Sequence, residues 1–462
     1  MHSPENETHL PQKVRRARCW PAIGHRLAAL LIPAVAACSL QSYPAQPQIP
    51  VPATAPAGDS LAPAEPAQPE GLVNAETDIL LAAIAGLATH GLDPEDYGLS
   101  RLRALENRPA EQGQALRDAW LLAATHLSQG RLDPETLTPR AAATLTERAL
   151  LDRIDDASGY GALAAALDGL APRHPDYLAL RAELSLARTA LTLETEPARL
   201  AEYAAAIDTL RVNLERWRWL PREFGPRYVF ANIPGQDVTA FENDLIVAQF
   251  SAIFGKTDRK TPVFSDEVEY IVFNPWWEVP DSIARKDKLP QFRRDPGAVA
   301  RLGYKVLDKS GRTVDPGSID WDMISARTFP YTLRQAPGPH NALGQVKIIF
   351  PNSHSVYLHD TPDQALFDAE QRLFSSGCVR VKAPLDLAGW LLRATPGWDR
   401  DRLDAAVASG VETRVDLAAP VPVHIVYFTA VTDRTCGRAL YLTDVYRRDG
   451  AVLQALQAPL AP

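Results

Sequence analysis

Apolar positions recur at helical spacing from residue 71 to about residue 210. Ile79, Leu80, Ala83, Ile84 and Leu87 fall on one stripe of a 3.6-residue helix, and Ala and Leu dominate the stretch. Gly91-Leu92-Asp93-Pro94 and Gly130-Arg131-Leu132-Asp133-Pro134 interrupt it. In each phrase Gly suits the end of one helix and Asp-Pro the start of the next, which predicts a repeated helix junction in a structural bundle. Beyond Trp217 the period falls to two. Short β-branched or aromatic runs cover Tyr228–Ile233, Val238–Glu242, Leu245–Phe250, Tyr270–Phe273, Val346–Phe350, Ser355–His359 and Val423–Thr429, bounded by Pro, Gly, Asn and Asp. Asn243-Asp244 and Pro351-Asn352-Ser353 are placed to close hairpins. Antiparallel strands with few helices predict a sandwich-like or curled sheet, and the folded part as a whole reads as α+β. Between Asp281 and Pro337 the alternation lapses into charged, Pro/Gly-rich sequence, including Arg285-Lys286-Asp287-Lys288 and Arg293-Arg294-Asp295-Pro296. A connection of that length is either functional or a solvated insertion.

The first 70 residues follow different rules. Arg15, Arg16, Arg18 and Arg26 precede the apolar segment Leu27–Ala37, which is shorter than the roughly 20 residues of a bilayer span. Small residues close it in Val35-Ala36-Ala37-Cys38, as before a signal-peptide cut. Residues 1–37 therefore read as a signal peptide, either of the lipoprotein type with Cys38 as the lipidated first residue, or an ordinary secretory signal. From Gln41 to Glu70 the chain is Pro, Ala and Gln with almost no large apolar side chain, so residues 38–70 are expected to form an extended tether.

Composition removes some function classes. The chain has 462 residues and a formal charge of −8 with no basic tract, which argues against nucleic acid as a partner. Four cysteines are too few for a disulfide framework, and no Cys or His spacing matches a zinc site, so neither metal nor cofactor is called for. With Cys19 in the leader and Cys38 acylated, Cys378 and Cys436 would remain as thiols. Cys436 is expected to be buried and non-catalytic.

Chemistry concentrates near the end. Cys378 stands in Ser375-Ser376-Gly377-Cys378-Val379-Arg380, and His359 lies 19 residues before it in Val356-Tyr357-Leu358-His359-Asp360. A thiolate is a strong nucleophile and an imidazole can take its proton, so the pair fits acyl transfer. The alternative is a small buried hydrophobe. Tyr357 and His359, two apart in a β-prone run, would share one face of a strand.

The stretch from His359 to Arg380 resembles the L,D-transpeptidases, the YkuD-type cysteine enzymes of bacterial peptidoglycan, which carry a His and then Ser-x-Gly-Cys-x-Arg. The resemblance is to the large, YcbB-like branch. It extends through Trp217-Arg218-Trp219-Leu220-Pro221, Tyr228–Pro234, Lys260–Ser265, Asn274–Pro280, Pro337–Gly344, Pro422–Ile425 and Asp444-Val445-Tyr446. It implies a helical scaffold domain at 71–212, a mainly β catalytic domain at 213–454, and a capping insertion at 281–337. A small peptidoglycan-binding domain is usual in that branch before the Trp-Arg-Trp motif. No such signature stands between Leu191 and Leu210.

The resemblance also implies roles. Cys378 would attack a tetrapeptide stem and release its terminal D-Ala, with His359 as the base and the Asp360 carbonyl orienting the imidazole. Gly377 and Cys378 amides would form an oxyanion hole, with Tyr357 as a further donor. Arg380, Ser376 and Trp276 are the candidates for substrate binding, whereas His340, His354 and His424 are expected to be structural. The acceptor would be a diamino acid of another stem, giving a 3→3 cross-link, or a lipoprotein lysine, or water. A non-catalytic wall-binding lipoprotein is the competing class. Such enzymes are carbapenem targets, and the implied location is the periplasm, anchored through lipid to the outer membrane.

Overall fold

A computed structural model describes residues 70–138, 140 and 160–460. Segment Leu27–Ala37, Cys38 and the Pro/Ala-rich stretch before residue 70 lie outside the described residues.

The first part is helical: α1 (Glu70–Gly86), α2 (Leu99–Ala104), α3 (Pro109–Gln129), α4 (Tyr160–Asp168), α5 (Pro175–Leu193) and α6 (Pro197–Arg218). Proline opens α3, α5 and α6, where its missing N–H costs nothing. The two Gly…Asp-Pro phrases share their turn chemistry, but only the first opens a helical segment, the 3-10 turn Pro94–Tyr97, whereas Asp133-Pro134 starts a turn with no helix after it among residues 134–138. Asp93 accepts from the Glu95 amide and Asp133 from the amides of Glu135 and Thr136, while Gly91 and Gly130 take positive φ. Gly130 is also crowded, because a Cβ there would stand 2.7 Å from the Trp219 ring.

That crowding marks the joint between the two halves. The Trp-Arg-Trp motif closes α6, and Trp217 stacks on His174 and Phe428 with ring centroids 4.5 and 4.7 Å away. Arg218 is buried, donating to Glu215 at 2.6 Å and to the His90 carbonyl at 2.8 Å. Glu215, fully buried, also accepts from the Leu132 amide and the Trp219 indole. One apolar cluster joins Leu80, Trp120 and Leu184 of the helices to Tyr228, Phe230 and Phe428 beyond them. Removing one partner of a buried ion pair leaves the other charged and desolvated. Arg218→Met is therefore expected to lower the unfolding free energy by about 3–5 kcal/mol, read by urea denaturation. A loss under about 1 kcal/mol, typical of surface pairs, would mean the pair does not hold the joint.

The second part is built on strands β1 (Arg227–Asn232), β2 (Asp237–Glu242), β3 (Leu245–Gly255), β4 (Phe264–Phe273), β5 (Trp277–Glu278), β6 (Tyr304–Leu307), β7 (Thr313–Val314), β8 (Thr332–Gln335), β9 (Val346–Ile349), β10 (Leu358–His359), β11 (Leu373–Ser375), β12 (Val379–Val381), β13 (Thr413–Val426), β14 (Ala430–Thr432) and β15 (Ala439–Tyr441). Nine form one sheet in the order β11-β3-β12-β10-β9-β4-β13-β1-β2. Because β2 also pairs with β3, the sheet curls and closes on itself. Asn243 and Asp244, both at positive φ, turn the β2–β3 hairpin. The sheet is mixed, since β1–β13, β10–β12 and β11–β3 run parallel. An all-antiparallel reading fails there because long connections separate those strands in sequence. β13 is longer than the alternation indicated, continuing through a bulge around Pro420. Pro351-Asn352-Ser353 belongs to a longer loop that the Asn352 side chain ties to the Phe350 and Val356 carbonyls.

Residues read as a lapse in the pattern are folded. Strands β5, β8, β6 and β7 make a separate four-stranded sheet, with helices α7 (Leu289–Arg294) and α8 (Ala298–Arg301) and a core of its own around Phe292, Trp321 and Leu333. Its strands are two to four residues long, too short for an alternation to register in sequence. Helices α9 (Pro384–Leu392), α10 (Arg400–Ala408) and α11 (Asp449–Gln457) complete the chain.

Candidate active site

Register brings the site together. In parallel pairing, His359 of β10 lies beside Arg380 of β12 and Leu358 beside Val379, so Tyr357 comes beside Cys378. Antiparallel pairing sets Lys347 of β9 beside His359. Side chains alternate along a strand, so Tyr357, His359, Cys378, Arg380 and Lys347 all share one face.

The turn carrying Cys378 is heavily braced. Gly377 sits at φ +128°, a backbone conformation open to glycine, with no heavy atom near its missing Cβ, so conformation rather than crowding requires it. Ser375 Oγ donates to the Cys378 carbonyl at 2.5 Å and accepts from the Gly377 amide at 3.1 Å. Thr261 Oγ1 donates to the Gly377 carbonyl at 2.9 Å. Tyr446 ties the same loop down, accepting from the Thr261 amide and donating to the Gly255 carbonyl. Residues Lys260–Ser265 and Asp444–Tyr446, distant in sequence, thus meet under the turn.

Cys378 is packed by protein on most sides yet keeps a partly exposed surface. Burial raises its thiol above the ordinary range. The Tyr357 amide and hydroxyl, then Lys347 and Arg380, oppose that rise by favouring the thiolate. His359 is buried, and its Nδ1 meets the Asp360 carbonyl at 2.5 Å. A carbonyl can only accept, so Nδ1 carries the proton and Nε2 keeps its lone pair. Burial, then the Arg380 charge, holds His359 down at about 3, so the ring is neutral at ordinary pH. The Asp360 carboxylate points elsewhere, to the Gln345 amide at 2.9 Å.

Two expected roles change. The Gly377 amide is spent on Ser375 Oγ rather than aimed at an oxyanion, because the turn folds its own N–H inward. The Cys378 amide has no protein acceptor among the described residues. The Tyr357 hydroxyl meets the Cys378 sulfur and takes a hydrogen bond from the Trp277 indole, so it lies against the candidate nucleophile.

The binding candidates separate. Arg380 faces the site with one ion-pair contact, Asp363 at 3.7 Å, and its buried Nε has no partner among the described residues. Ser376 is exposed, and its hydroxyl accepts from Arg259 at 2.9 Å. Arg259 also clasps Asp287 of the small sheet's subdomain with contacts of 2.6 and 3.0 Å. Trp276 lies between Lys305 and Arg334, each about 5 Å from its ring centroid, whereas its neighbour Trp277 reaches Tyr357. His424 bonds Ser265 at 2.7 Å, His354 packs on Phe264, and His340 is exposed. Cys436 is exposed rather than buried, because it stands in the tight turn between β14 and β15. Among the described residues no group of three or more His, Cys, Asp or Glu is placed to hold a metal.

Sequence reading gave no role to Lys347, Thr261, Arg259 or Lys288, although Thr261 stood in the Lys260–Ser265 motif, Lys288 in a charged phrase, and Lys347 as a charge inside the apolar run Val346–Phe350. Lys288 enters from the small subdomain, its ammonium within 5.5 Å of the Trp277 and Tyr304 rings and close enough to Arg380 to feel its charge.

Residues 226–414 match the family profile of the L,D-transpeptidase catalytic domain, YkuD, and residues 68–184 match that of the Scaffold domain. The catalytic domain belongs to the L,D-transpeptidase family. Its combination with the Scaffold domain is the YcbB-like architecture. A Haemophilus influenzae protein, itself named only provisionally as an L,D-transpeptidase, is 36% identical over 240 residues. That match covers 52% of this chain and 48% of the relative, so the chain spans about half the length of the curated relative it matches. An L,D-transpeptidase from Mycobacterium smegmatis aligns over 43% of this chain and 58% of its own, at 11% identity and a TM-score of 0.19. L,D-transpeptidase 1 from Mycobacterium tuberculosis aligns over 44% and 61%, at 15% identity and a TM-score of 0.18. Likeness that low supports no structural argument.

Proposed function

We propose that this L,D-transpeptidase transfers an acyl group from a peptidoglycan tetrapeptide stem to an amine through a thioester on Cys378. Nε2 of His359 takes the thiol proton as sulfur attacks the carbonyl carbon of the third residue. The tetrahedral oxyanion collapses, the terminal D-Ala amine leaves with the proton held by His359, and a thioester remains. An acceptor amine then attacks, His359 takes its proton, and the thiol is regenerated as the new amide forms. One observation carries the reading. The β10–β12 register sets the sulfur and the imidazole on one face, with Nδ1 anchored and Nε2 unprotonated.

Substrate chemistry agrees with the charge of the site. Arg380 and Lys347 act on the Cys378 sulfur and Lys288 stands near Arg380, and a stem peptide carries carboxylates. Lysine as acceptor would attach a protein to the wall, and a diamino acid would give a 3→3 cross-link. The enzyme would work in the periplasm, held by a lipid on Cys38 and reaching the wall through the Pro/Ala-rich segment. Incubation with a defined tetrapeptide should release D-Ala and add the tripeptide acyl mass to the proteolytic fragment containing Cys378. Release without any adduct on that fragment, under quenching that preserves thioesters, would defeat the proposal. Adding a diamino acid stem or a lysine peptide should then identify the acceptor from the product mass.

A further inference from the structure

We propose that Lys347 is a positioning residue of the acyl transfer, an unpaired cation that stabilises negative charge on Cys378 both directly and through the Tyr357 ring. Its place is set by register, beside His359 on β9 and on the face that carries the sulfur. Its ammonium stands 4.1 Å from the Tyr357 ring centroid. Among the described residues no carboxylate lies within ion-pair reach of it, unlike the arginines of the same region. A half-buried lysine left unneutralised beside a thiol is costly unless the negative charge it answers arises during the reaction.

The Tyr357 hydroxyl meets the sulfur, so a cation on the face of the same ring pulls electron density away from that O–H and strengthens its donation. Lys347 thus acts twice. The groups acting on the sulfur are Tyr357, just before β10, Lys347 from β9 and Arg380 from β12, with His359 of β10 on the same face and Lys288 beyond Arg380, while the thiol itself donates to the Ser355 carbonyl at 3.7 Å. Among charged neighbours of Lys347, Cys378 acts most strongly, ahead of Glu412 and Glu278. Lys347 acts on His359 less than Arg380 does. Its net effect therefore favours the thiolate and the attacking sulfur over a stored imidazolium.

The inference rests on the acyl-transfer reading for its purpose, but its test needs no peptidoglycan. Cys378 would be alkylated with iodoacetamide from pH 6 to 11, following the Cys378 fragment by mass. In Lys347→Met the rise of rate with pH should move up by about one unit, so that alkylation at pH 8 slows roughly tenfold. Lys347→Arg should restore most of the rate, because charge rather than stem shape is what matters. Superimposable profiles for wild type and Lys347→Met, or an arginine variant as slow as the methionine one, would overturn the role. Lys347→Gln keeps a polar tip and removes only the charge, and it gives the same reading should the methionine variant not fold. A flat result here with normal thioester formation would remove Lys347 and leave the acyl-transfer mechanism standing. A shifted profile with no thioester would do the reverse.

Discussion

Cys378→Ala is expected to abolish the thioester, and His359→Gln to slow its formation by a factor of about 10²–10⁴, the usual worth of a positioned proton acceptor. Alanine removes the sulfur on which the proposed thioester forms. Glutamine fills a similar volume and can still donate to the Asp360 carbonyl, but it has no basic lone pair at the place of Nε2. The pH dependence should bear the same signature. His359 is held at about 3 by burial and the Arg380 charge, so its neutral form persists well below the ordinary histidine range. Burial holds the Cys378 thiol above its ordinary value. Neutral imidazole and protonated thiol therefore coexist from acid pH up to the thiol ionisation, so acylation should run level across that range, without the loss below pH 6.5 that an ordinary histidine base would give. Stopped or quenched single-turnover acylation measures both effects. A His359→Gln variant acylating within threefold of wild type would remove the imidazole from the mechanism, even if Cys378 stays in it.

Acid should unfold the protein early. Burial lowers His90 and His359 to about 3, and His126 and His424 to about 4, and it lowers His174 as well. Above the unfolded value of about 6.5 these rings are neutral in both states and contribute no pH dependence. As pH falls below 6.5 the unfolded chain takes up protons that the folded chain refuses, so stability declines until the folded rings themselves titrate. Each such histidine removes about 1.4 kcal/mol per pH unit in that window. Asp237 works the other way. Burial raises it to about 6, so the folded state binds its proton first and gains stability between pH 6 and the unfolded carboxylate range. Burial raises Asp96 and Asp360 as well, yet these three carboxylates do not offset the five histidines, and a typical fold has only about 5–15 kcal/mol to lose. The thermal midpoint should fall steeply between pH 6.5 and 4.5, measured by circular dichroism. His424→Gln, which keeps a hydrogen-bonding tip toward Ser265, should flatten part of that slope. A midpoint unchanged across that interval would show that these rings do not stay neutral inside the fold.

Much of this was legible locally. The helical stretch, the Asp93-Pro94 cap and the Asn243-Asp244 hairpin follow from spacing and turn chemistry that neighbouring residues decide, whereas the choice between a sandwich-like and a curled sheet was made by pairings between distant strands. The small subdomain was not legible, because strands as short as Thr313–Val314 gain their definition from partners far along the chain. The pair Cys378 and His359 stood out by residue type, whereas Lys347 read as one charge in an apolar strand. Gly377 looked like an oxyanion donor until the Ser375 hydroxyl was seen to occupy its amide.

By itself the sequence determined the candidate groups, a thiol and an imidazole in a β domain behind a helical one, because residue types, turn signals and periodicity are written in residue identity. Only the tertiary structure decided what surrounds that sulfur. Lys347, Tyr357, His359, Cys378 and Arg380 come from three strands and the residues leading into two of them, and strand register, a property of hydrogen bonding between distant segments, turns their side chains to a common face.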